Sequence, residues 1–265
     1  MISCVVLTKN EEENIVDCLE SVSFCDEIIV VDDYSDDRTI SVINNINFIN
    51  KKTKIYQRHL DGDFAKQRNF GLEKTKGEWI LFVDADERVT PELREEILEQ
   101  VRNSPSTGSG PSAFSLRRKD FLFGRWLEHG ETGNIKLLRL VRKDKGKWER
   151  RVHEELRVRQ LADGKLGTLE GSLLHYPHQT VSEFLKEINF YTDLNVKEFY
   201  KNGIRVPPWA IILYPLAKFV KNYFLKLGFL DGMAGYLQAS IMSFHSFMTR
   251  AKLWQMYRHS GLSRI

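Results

Sequence analysis

Two apolar stretches of this sequence each end in paired acids, and this feature most constrains the fold. Residues 27–33, EIIVVDD, and residues 78–87, EWILFVDADE, place β-branched or aromatic residues directly before their acids. Burying an unpaired carboxylate is costly, so each pair must lie where a buried strand reaches the surface. Strands that end in this way predict a sheet that holds a ligand at its strand ends.

Helical patterns alternate with the apolar strands. Four helices are predicted, over residues 10–22, 36–46, 64–77 and 90–103. Asn10 is the expected N-cap of the first helix, Gly77 the expected stop of the third, and Thr90 with Pro91 the expected start of the fourth. The alternation predicts an α/β protein with a Rossmann-like parallel sheet flanked by helices.

The pattern changes after a Ser, Gly and Pro stretch at residues 103–112. Shorter strands follow, which we expect to be mixed or antiparallel, and then a helix from residue 181 to 203. We therefore predict one domain over residues 1–202, with one half at about 1–102 and the other at about 113–202. Residues 203–265 form a separate basic, aromatic and helical region.

Several classes of protein are excluded by absent motifs. The three cysteines, Cys4, Cys18 and Cys25, form no CxxC pair, which argues against a disulfide framework or a zinc site and favours a reducing compartment. The N-terminus has too short an apolar run for a signal peptide, which indicates a cytoplasmic location. The sequence has no glycine-rich phosphate motif, so the phosphates of a nucleotide would need a metal ion.

The acids Asp84 and Asp86 are the first candidate site residues. Mg²⁺ and Mn²⁺ prefer carboxylate oxygens, use few protein ligands and complete their shell with phosphates and water. Two acids one residue apart at a strand end therefore suit a divalent cation and a ribose. The alternative is structural, with Asp84 capping a turn and Asp86 solvated; a second strand that also ends in acids favours the functional interpretation.

Three residues of the first half are candidates for nucleotide contacts. Asp33 could accept a hydrogen bond from a pyrimidine base or a ribose, and we expect one acid of the Asp32–Asp33 pair to cap the helix that starts near Asp36 while the other binds. Lys66 and Arg68 lie on the helix that leads into the third apolar strand. A guanidinium suits planar charged groups, which makes Arg68 the better candidate; a solvated basic face is the alternative for both.

Glu154 is the candidate general base of the second half. It follows a basic stretch that contains seven Lys or Arg between Arg139 and Arg151. A carboxylate facing the ligand crevice can accept a proton, and the alternative is an exposed acid paired with a neighbouring arginine. His175 is a weaker candidate, as a phosphate or metal contact.

Four stretches resemble the successive motifs of the family 2 glycosyltransferases, which have the GT-A fold. They are SCVVLTKNEEEN, IIVVDDYSDD, FAKQRNFGLEKTKGEWILFVDADE and RRVHEEL. These motifs span roughly residues 1–175. The whole chain, including VPPWAIILYPLAKF and GFLDGMAGYLQA, is similar to the lipopolysaccharide core β-1,4-glucosyltransferases within that family.

The resemblance implies an inverting enzyme that uses a nucleotide sugar, UDP-glucose, and Mg²⁺ or Mn²⁺. It implies that Thr8 and Asp33 contact the base, Asp84 the ribose and Asp86 the metal, and that the half around residues 1–102 binds the nucleotide sugar while the other half binds the acceptor. Glu154 would be the catalytic base. Many relatives place the base in an ED pair, whereas this chain has VHEE, so the choice between Glu154 and Glu155 stays open. Neighbouring strand residues point to opposite faces, so only one of them can serve.

Two other functions compete with this interpretation. The fold could bind nucleotide sugars at a membrane as a non-catalytic scaffold, which needs no base. A nucleotidyltransferase shares an α/β nucleotide fold, but would usually show a glycine-rich phosphate loop near its N-terminus. No nucleic acid is expected among the partners.

The basic region carries eight Lys or Arg against one acid, Asp231, a formal net charge of +7 over residues 203–265. Its apolar runs are too short to span a bilayer, but aromatic residues and lysines recur on adjacent helical faces. We therefore expect peripheral attachment to an anionic membrane, on the inner face of the cytoplasmic membrane, near a lipid-linked glycan acceptor. The alternative is a helical pair buried against the catalytic domain or another subunit in a homo-oligomer.

Overall fold

The structure is a computed structural model. It describes residues 1–46, 52–104, 110–151, 154–158, 166–177, 180–259 and 261. The chain forms two compact units, one of residues 1–118 and 136–175 and the other of residues 119–135 and 176–265.

The first unit begins with the predicted alternation of strands and helices. In chain order its elements are β1 (Ile2–Thr8), α1 (Ile15–Ser21), β2 (Glu27–Asp32), α2 (Thr39–Asn44), β3 (Thr53–Gln57), α3 (Phe64–Lys74), β4 (Trp79–Asp84), β5 (Glu87–Val89) and α4 (Pro91–Asn103). Strands β3, β2, β1 and β4 are neighbours in that order and run parallel. The order reverses at β1 and β4, where an open α/β sheet places its ligand crevice, and Leu7 pairs with Asp84 at this point.

The remaining strands include antiparallel pairs, as predicted. They are β6 (Ala113–Leu122), β7 (Arg125–Leu127), β8 (Ile135–Arg142), β9 (Gly146–Glu149), β10 (Glu155–Val158) and β11 (Gly167–His175). The prediction that they are shorter was wrong: β6, β8 and β11 have 10, 8 and 9 residues, against 7 in β1. The sheet continues from β4 through β8, β6 and β11 to β5, while β9 and β10 form a separate antiparallel pair. Strands β4 and β8 pair antiparallel, as do β11 and β5.

The sheet is apolar on both faces, which explains why its central strands read as continuous apolar runs. Along β1, Cys4 and Val6 belong to one buried cluster, whereas Val5 belongs to the other. Trp79 and Phe82 of β4 divide between the two clusters in the same way. Because no face of these strands meets water, their polar ends are where a ligand can be reached.

Helix boundaries confirm one capping prediction and correct two. The side chain of Thr90 accepts a hydrogen bond from the Leu93 N–H at the start of α4, as expected for an N-cap. The prediction of Asn10 as an N-cap was wrong: α1 begins later, at Ile15, and Asn10 has a left-handed backbone with φ of 54°. Its side chain instead accepts the N–H of Asp36 at 2.9 Å, which joins two loops at the strand ends.

The predicted stop of α3 at Gly77 was also wrong, since the helix ends at Lys74. Thr75 follows with an extended backbone and bonds back to the Leu72 carbonyl through its N–H and hydroxyl groups. Gly77 has a different role: its N–H donates to the Ser3 hydroxyl at 2.8 Å, and an added Cβ would lie 2.7 Å from the Ser3 nitrogen. Glycine is therefore needed there for close packing on β1.

The second unit is mainly helical and contains α5 (Val181–Lys201), α6 (Pro208–Val220) and α7 (Gly232–His259). A π-helical turn (Lys221–Leu225) and a 3-10 turn (Gly228–Asp231) connect α6 to α7. Helix α7 packs against both α5 and α6. The prediction placed α5 in the domain of residues 1–202, whereas in the structure α5 belongs to the second unit. The reason is that α5 packs against α7.

Among the described residues, no helix combines the length and apolar character needed to cross a bilayer.

Candidate active site

A single arginine connects the two halves of the predicted site within the first unit. The Nη2 atom of Arg68, on α3, lies 2.9 Å from Oδ1 of Asp84 at the end of β4. Its Nε atom donates to Oε1 of Glu154 at 3.0 Å. The guanidinium also stacks over the Trp148 ring at 4.8 Å from the centroid. The fold therefore brings three predicted residues, from three separate segments, into direct contact.

A second buried arginine, Arg139 on β8, holds the other side of Asp84. Its Nη2 atom donates to Asp84 Oδ2 at 2.8 Å and to Glu87 Oε1 at 3.3 Å. The other oxygen of Glu87 accepts the backbone N–H of Asp84 at 2.9 Å, across the turn between β4 and β5. Glu87 is fully buried, so Arg139 compensates its charge as well as that of Asp84.

One acceptor site of Asp84 and the Nη1 groups of the two arginines are available to a ligand in this cluster. An ionised carboxylate offers about four acceptor sites, and the contacts from Arg68 and Arg139 use three of those on Asp84. The Asp84 side chain is 28% exposed, which leaves its remaining site within reach of solvent. The Nη1 atoms of Arg68 and Arg139 are buried, and neither has a hydrogen-bond partner among the described residues. Buried donors without protein partners are uncommon, so these two groups suit a polar ligand.

Electrostatics fix the charge state of this cluster. Burial disfavours ionised Asp84, but Arg139 and Arg68 outweigh it and hold the pKa of Asp84 well below its ordinary value. Burial likewise lowers the pKa of Arg68, yet the charges of Asp84 and Glu154 leave that pKa above its ordinary value. Burial raises the pKa of Glu87; Arg139 opposes this effect and Asp84 adds to it. Asp84 is therefore ionised throughout the physiological range.

Asp86 and His175 form the neighbouring pair. Antiparallel pairing of β5 with β11 sets His175 opposite Glu87, one residue beyond Asp86. The Nε2 atom of His175 lies 3.1 Å from Asp86 Oδ2, and both side chains are partly exposed. No group of three or more His, Cys, Asp or Glu in the described part of the chain could hold a metal. The Asp86 carboxylate nevertheless fits a divalent ion that takes its other ligands from a diphosphate and water, and an imidazole is a common metal ligand beside it.

Glu154 and Glu155 lie in different environments. Glu154 precedes β10, contacts Arg68 and is 17% exposed. Glu155 begins β10, is 57% exposed and pairs with Arg150 at 2.6 Å. Within the described residues, Oε2 of Glu154 has no hydrogen-bond partner. The neighbouring His153 of the VHEE motif lies outside the described residues.

The prediction that Asp32 or Asp33 caps the helix near Asp36 was wrong: α2 begins at Thr39, after Arg38, without a side-chain cap. Asp32 is fully buried and accepts the N–H and hydroxyl groups of Ser35, the hydroxyl at 2.5 Å. Asp33 is partly exposed and accepts the Leu60 N–H at 2.9 Å. The binding role of Asp33 stays a prediction. Thr8, at the end of β1, has a buried hydroxyl without a partner among the described residues.

Lys66 does not join the cluster. Its ammonium lies 3.2 Å from Asp63 Oδ2, and its side chain is 70% exposed. It lines a surface groove of about 510 Å³ beside α3 and β9, together with Arg58 and Lys147. Its nucleotide-binding role also stays a prediction.

Sequence reasoning overlooked Arg139 and Glu87 as parts of the site. Arg139 was counted only as one of a basic run, although it interrupts an apolar strand between Leu138 and Leu140. A charged residue at such a position needs a buried partner, and this signal could have identified it. Glu87, the last residue of the EWILFVDADE stretch, carried no prediction of its own.

The fold and the acids at its strand ends together identify the class of protein. A parallel α/β half with acids at the carboxyl ends of β2 and β4, joined to a half with antiparallel strands, corresponds to the GT-A fold of glycosyltransferases. The sequence profile described as Glycosyl transferase family 2 matches residues 3–162. Since this match covers more than half of the chain, the protein belongs to glycosyl transferase family 2 and is a glycosyltransferase.

Three known proteins illustrate the similarity. The lipopolysaccharide core biosynthesis glycosyltransferase LpsC of Rhizobium meliloti is 27% identical over 99% of this chain and 94% of its own length. An uncharacterized glycosyltransferase of Rickettsia typhi is 26% identical over 96% of this chain and 87% of its own length. The mannosyltransferase of Pyrobaculum calidifontis, solved with GDP-Man and Mn²⁺, has a TM-score of 0.50 at 14% identity, covering 95% of this chain and 86% of that one. The structural likeness concerns the fold alone.

Proposed function

We propose that the protein is an inverting glycosyltransferase that moves a hexose, glucose, from UDP-glucose to a hydroxyl of a lipopolysaccharide-core or other cell-envelope glycan. The observation that carries the proposal is the bridge from Asp84 through Arg68 to Glu154. It joins an acid suited to a nucleoside with an acid suited to proton transfer. Family membership favours this function over a scaffold and over a nucleotidyltransferase.

The nucleoside is assigned to the carboxyl ends of β1, β2 and β4. Thr8 and Asp33 would contact the base, and the remaining acceptor site of Asp84 would take a ribose hydroxyl. The unpartnered Thr8 hydroxyl and Arg68 Nη1 atom support a polar ligand at these strand ends. Because Asp84 is held ionised by two arginines, it accepts hydrogen bonds at any physiological pH.

Glu154 is assigned as the general base. A sugar hydroxyl is a weak nucleophile, so a positioned carboxylate must take its proton as the oxygen attacks the anomeric carbon. Arg68 anchors Oε1 of Glu154, which leaves Oε2 to accept this proton. Attack from the face opposite the leaving diphosphate forms the new C–O bond as the old one breaks, and it inverts the anomeric centre. Glu155 is disfavoured because Arg150 pairs with it in solvent.

Asp86, with His175 beside it, is assigned to Mg²⁺ or Mn²⁺. When bound, such a cation would counter the negative charge on the leaving diphosphate. The chain's own contribution is the pair of partly exposed ligands, held in place by the pairing of β5 with β11.

The proposed acceptor and location are supported by the relatives and by the chain's charge. Similarity to a lipopolysaccharide core glycosyltransferase over nearly the whole chain supports a lipid-linked glycan acceptor. Three free, buried cysteines fit a reducing compartment. The formal charge of +7 over residues 203–265 fits attachment to an anionic membrane surface. We therefore assign the enzyme to the cytoplasm, peripheral on the inner face of the cytoplasmic membrane.

The test is transfer from labelled UDP-glucose to a core oligosaccharide, with Mg²⁺, with Mn²⁺ and with EDTA. The expected result is metal-dependent UDP release matched by sugar transfer, with an inverted anomeric configuration in the product by NMR. Binding of UDP-glucose without turnover on any acceptor would contradict the proposal. A panel of UDP- and GDP-sugars tests the donor separately, because preference for a non-glucose donor would change the sugar but not the chemistry.

A further inference from the structure

Helix α6 exposes an apolar stripe that no described residue covers. Trp209, Ile212, Leu213, Leu216 and Val220 recur at helical spacing and are all exposed, with Ile212 at 64%. The opposite side of the helix is the packed one: Ala210 and Pro215 are buried, and the Ser243 hydroxyl of α7 donates to the Pro215 carbonyl at 2.7 Å. Helix α6 is therefore packed on one side, and the exposed stripe forms its outer surface.

The stripe continues past the end of α6. Phe224 and Leu225, in the π-helical turn, are both exposed, with Leu225 at 75%. We call these seven residues, Trp209, Ile212, Leu213, Leu216, Val220, Phe224 and Leu225, the α6 apolar face. Further exposed apolar residues follow in the 3-10 turn and the start of α7: Phe229, Leu230, Met233 and Tyr236. Such a concentration of exposed apolar residues in one segment marks an interaction surface.

The charged residues within the segment that carries this face have one sign. Residues 203–230 contain Arg205, Lys218, Lys221 and Lys226 and no Asp or Glu. Lys221 and Lys226 are exposed, whereas Lys218 is bound to Glu131 at 2.6 Å. The next acid, Asp231, is buried and accepts the N–H groups of Glu128 and His129. Residues 203–230 thus offer exposed cations and no acid of their own, while the adjacent Glu131 is partly exposed and paired with Lys218.

We infer that the α6 apolar face docks on an anionic lipid bilayer, with its apolar side chains at the headgroup boundary and Lys221 and Lys226 at the lipid headgroups. A helix that is too short and too interrupted to span a bilayer can still lie in the plane of its surface. A bilayer supplies both the apolar and the anionic partner that the face requires. A two-fold dimer through this face would bring the lysines of both copies into one interface, with no acid from residues 203–230 to pair with them, which disfavours a second copy. Docking would bring the enzyme to a lipid-linked acceptor, but the inference depends on the residues of the α6 apolar face and not on the identity of the acceptor.

The experiment is co-sedimentation of the full chain with vesicles of phosphatidylcholine, with and without phosphatidylglycerol. We expect the wild type to pellet with the anionic vesicles, and high salt to weaken the binding only in part, because salt screens charge but not apolar insertion. The double variant Ile212→Glu/Leu216→Glu should bind at least about tenfold more weakly, since it places two charges in the inserted face. Lys221→Gln/Lys226→Gln should lose about tenfold at low salt.

Matched controls lie on α5 of the same unit. Leu185→Glu/Phe190→Glu changes two exposed apolar residues, and Lys186→Gln/Lys197→Gln removes two exposed lysines. Both should bind vesicles like the wild type. Circular dichroism verifies folding, and turnover on a soluble acceptor should be unchanged in every variant, which keeps this test separate from the proposed function.

The inference is overturned if the wild type does not pellet with anionic vesicles. It is also overturned if Ile212→Glu/Leu216→Glu binds as the wild type does. Light scattering that shows a dimer abolished by this variant, without any vesicle binding, would assign the face to contact between copies instead.

Discussion

The Nε atom of Arg68 lies 3.0 Å from Oε1 of Glu154, although 86 residues separate them in the chain. The same guanidinium contacts Asp84 through its Nη2 atom at 2.9 Å. The proposed base is therefore attached to the proposed nucleoside-binding acid through one rigid, planar group. Positioning of this kind lets the carboxylate meet the acceptor hydroxyl in a fixed geometry relative to the donor.

Glu154→Gln should lose about 10²- to 10⁴-fold in kcat, because it removes the group that accepts the acceptor's proton. UDP binding should remain close to that of the wild type, since the amide oxygen can still accept the Arg68 hydrogen bond. The matched control is Glu155→Gln, which changes an exposed residue and should stay within a few-fold of the wild type. Steady-state kinetics with UDP titrations measure both quantities. The reverse pattern would place the base at Glu155.

Asp86→Ala should abolish the metal dependence of nucleotide binding, because it removes the carboxylate ligand proposed for the ion. His175→Ala should weaken Mn²⁺ binding in the presence of UDP, with a smaller effect for Mg²⁺, which prefers oxygen ligands. Asp144→Ala is the control, since that acid is 71% exposed and pairs only with Lys145 among the contacts described. Calorimetric titration of UDP with and without each metal separates these effects. Unchanged metal-dependent binding in Asp86→Ala would exclude Asp86 as a ligand.

Arg139→Met should destabilise the fold by about 3–5 kcal/mol, because it removes the buried partner of Glu87 and leaves Asp84 with Arg68 alone. Arg157→Met is the control: its guanidinium is 65% exposed and pairs with Glu149, so the loss should be about 0–1 kcal/mol. Urea unfolding gives both free energies. Equal effects of the two substitutions would show that the Arg139 contacts do not stabilise the protein.

Acid should selectively remove the contribution of Asp84 to stability. The folded-state pKa of Asp84 lies below its ordinary value, so its ionised form stabilises the fold above the unfolded pKa of about 3.9. This contribution is lost as the pH falls through the folded pKa. The free-energy advantage of the wild type over Asp84→Asn should therefore be constant from about pH 8 to 5 and shrink at lower pH.

Glu87→Gln is the control, because its effect on stability should change with pH in the opposite direction to that of Asp84→Asn. The folded-state pKa of Glu87 is raised by burial, so its contribution is fully present at low pH and is lost as the pH rises through that pKa. The wild type should thus gain stability relative to Glu87→Gln on acidification. Urea unfolding across the pH range measures both differences, and parallel curves for the two variants would contradict the assigned pKa directions.

The sequence predicted the parallel part of the fold well, and the reason is physical. Strands such as β2 and β4 are buried on both faces, so their residues form apolar runs that a reader can recognise without any tertiary knowledge. Helix starts were less predictable. Thr90 caps α4 as expected, but Asn10 bonds instead to Asp36, a residue brought near only by the folded sheet.

Individual site residues were easier to predict than their partners. Asp84, Asp86 and Glu154 follow recognisable apolar or basic patterns, whereas nothing local shows that Arg68 would bridge Asp84 and Glu154. That contact depends on where α3 packs beside the sheet. The role of Arg139 likewise depends on the antiparallel pairing of β8 with β4, which the sequence does not specify. Long-range register therefore decides which of several basic residues enters the site.

Gly235→Ala should destabilise the second unit, because α7 and the 3-10 turn approach each other too closely for a side chain. A Cβ at Gly235 would lie 1.9 Å from the carbonyl oxygen of Gly228, and that atom belongs to the backbone and cannot rotate away. We expect a cost of about 1–3 kcal/mol, typical of overpacking. Met233→Ala on the same helix is the control, since Met233 is 72% exposed and its loss should cost less than about 0.5 kcal/mol. Thermal and urea unfolding measure both variants, and a Gly235→Ala protein as stable as the wild type would show that this crossing can open without cost.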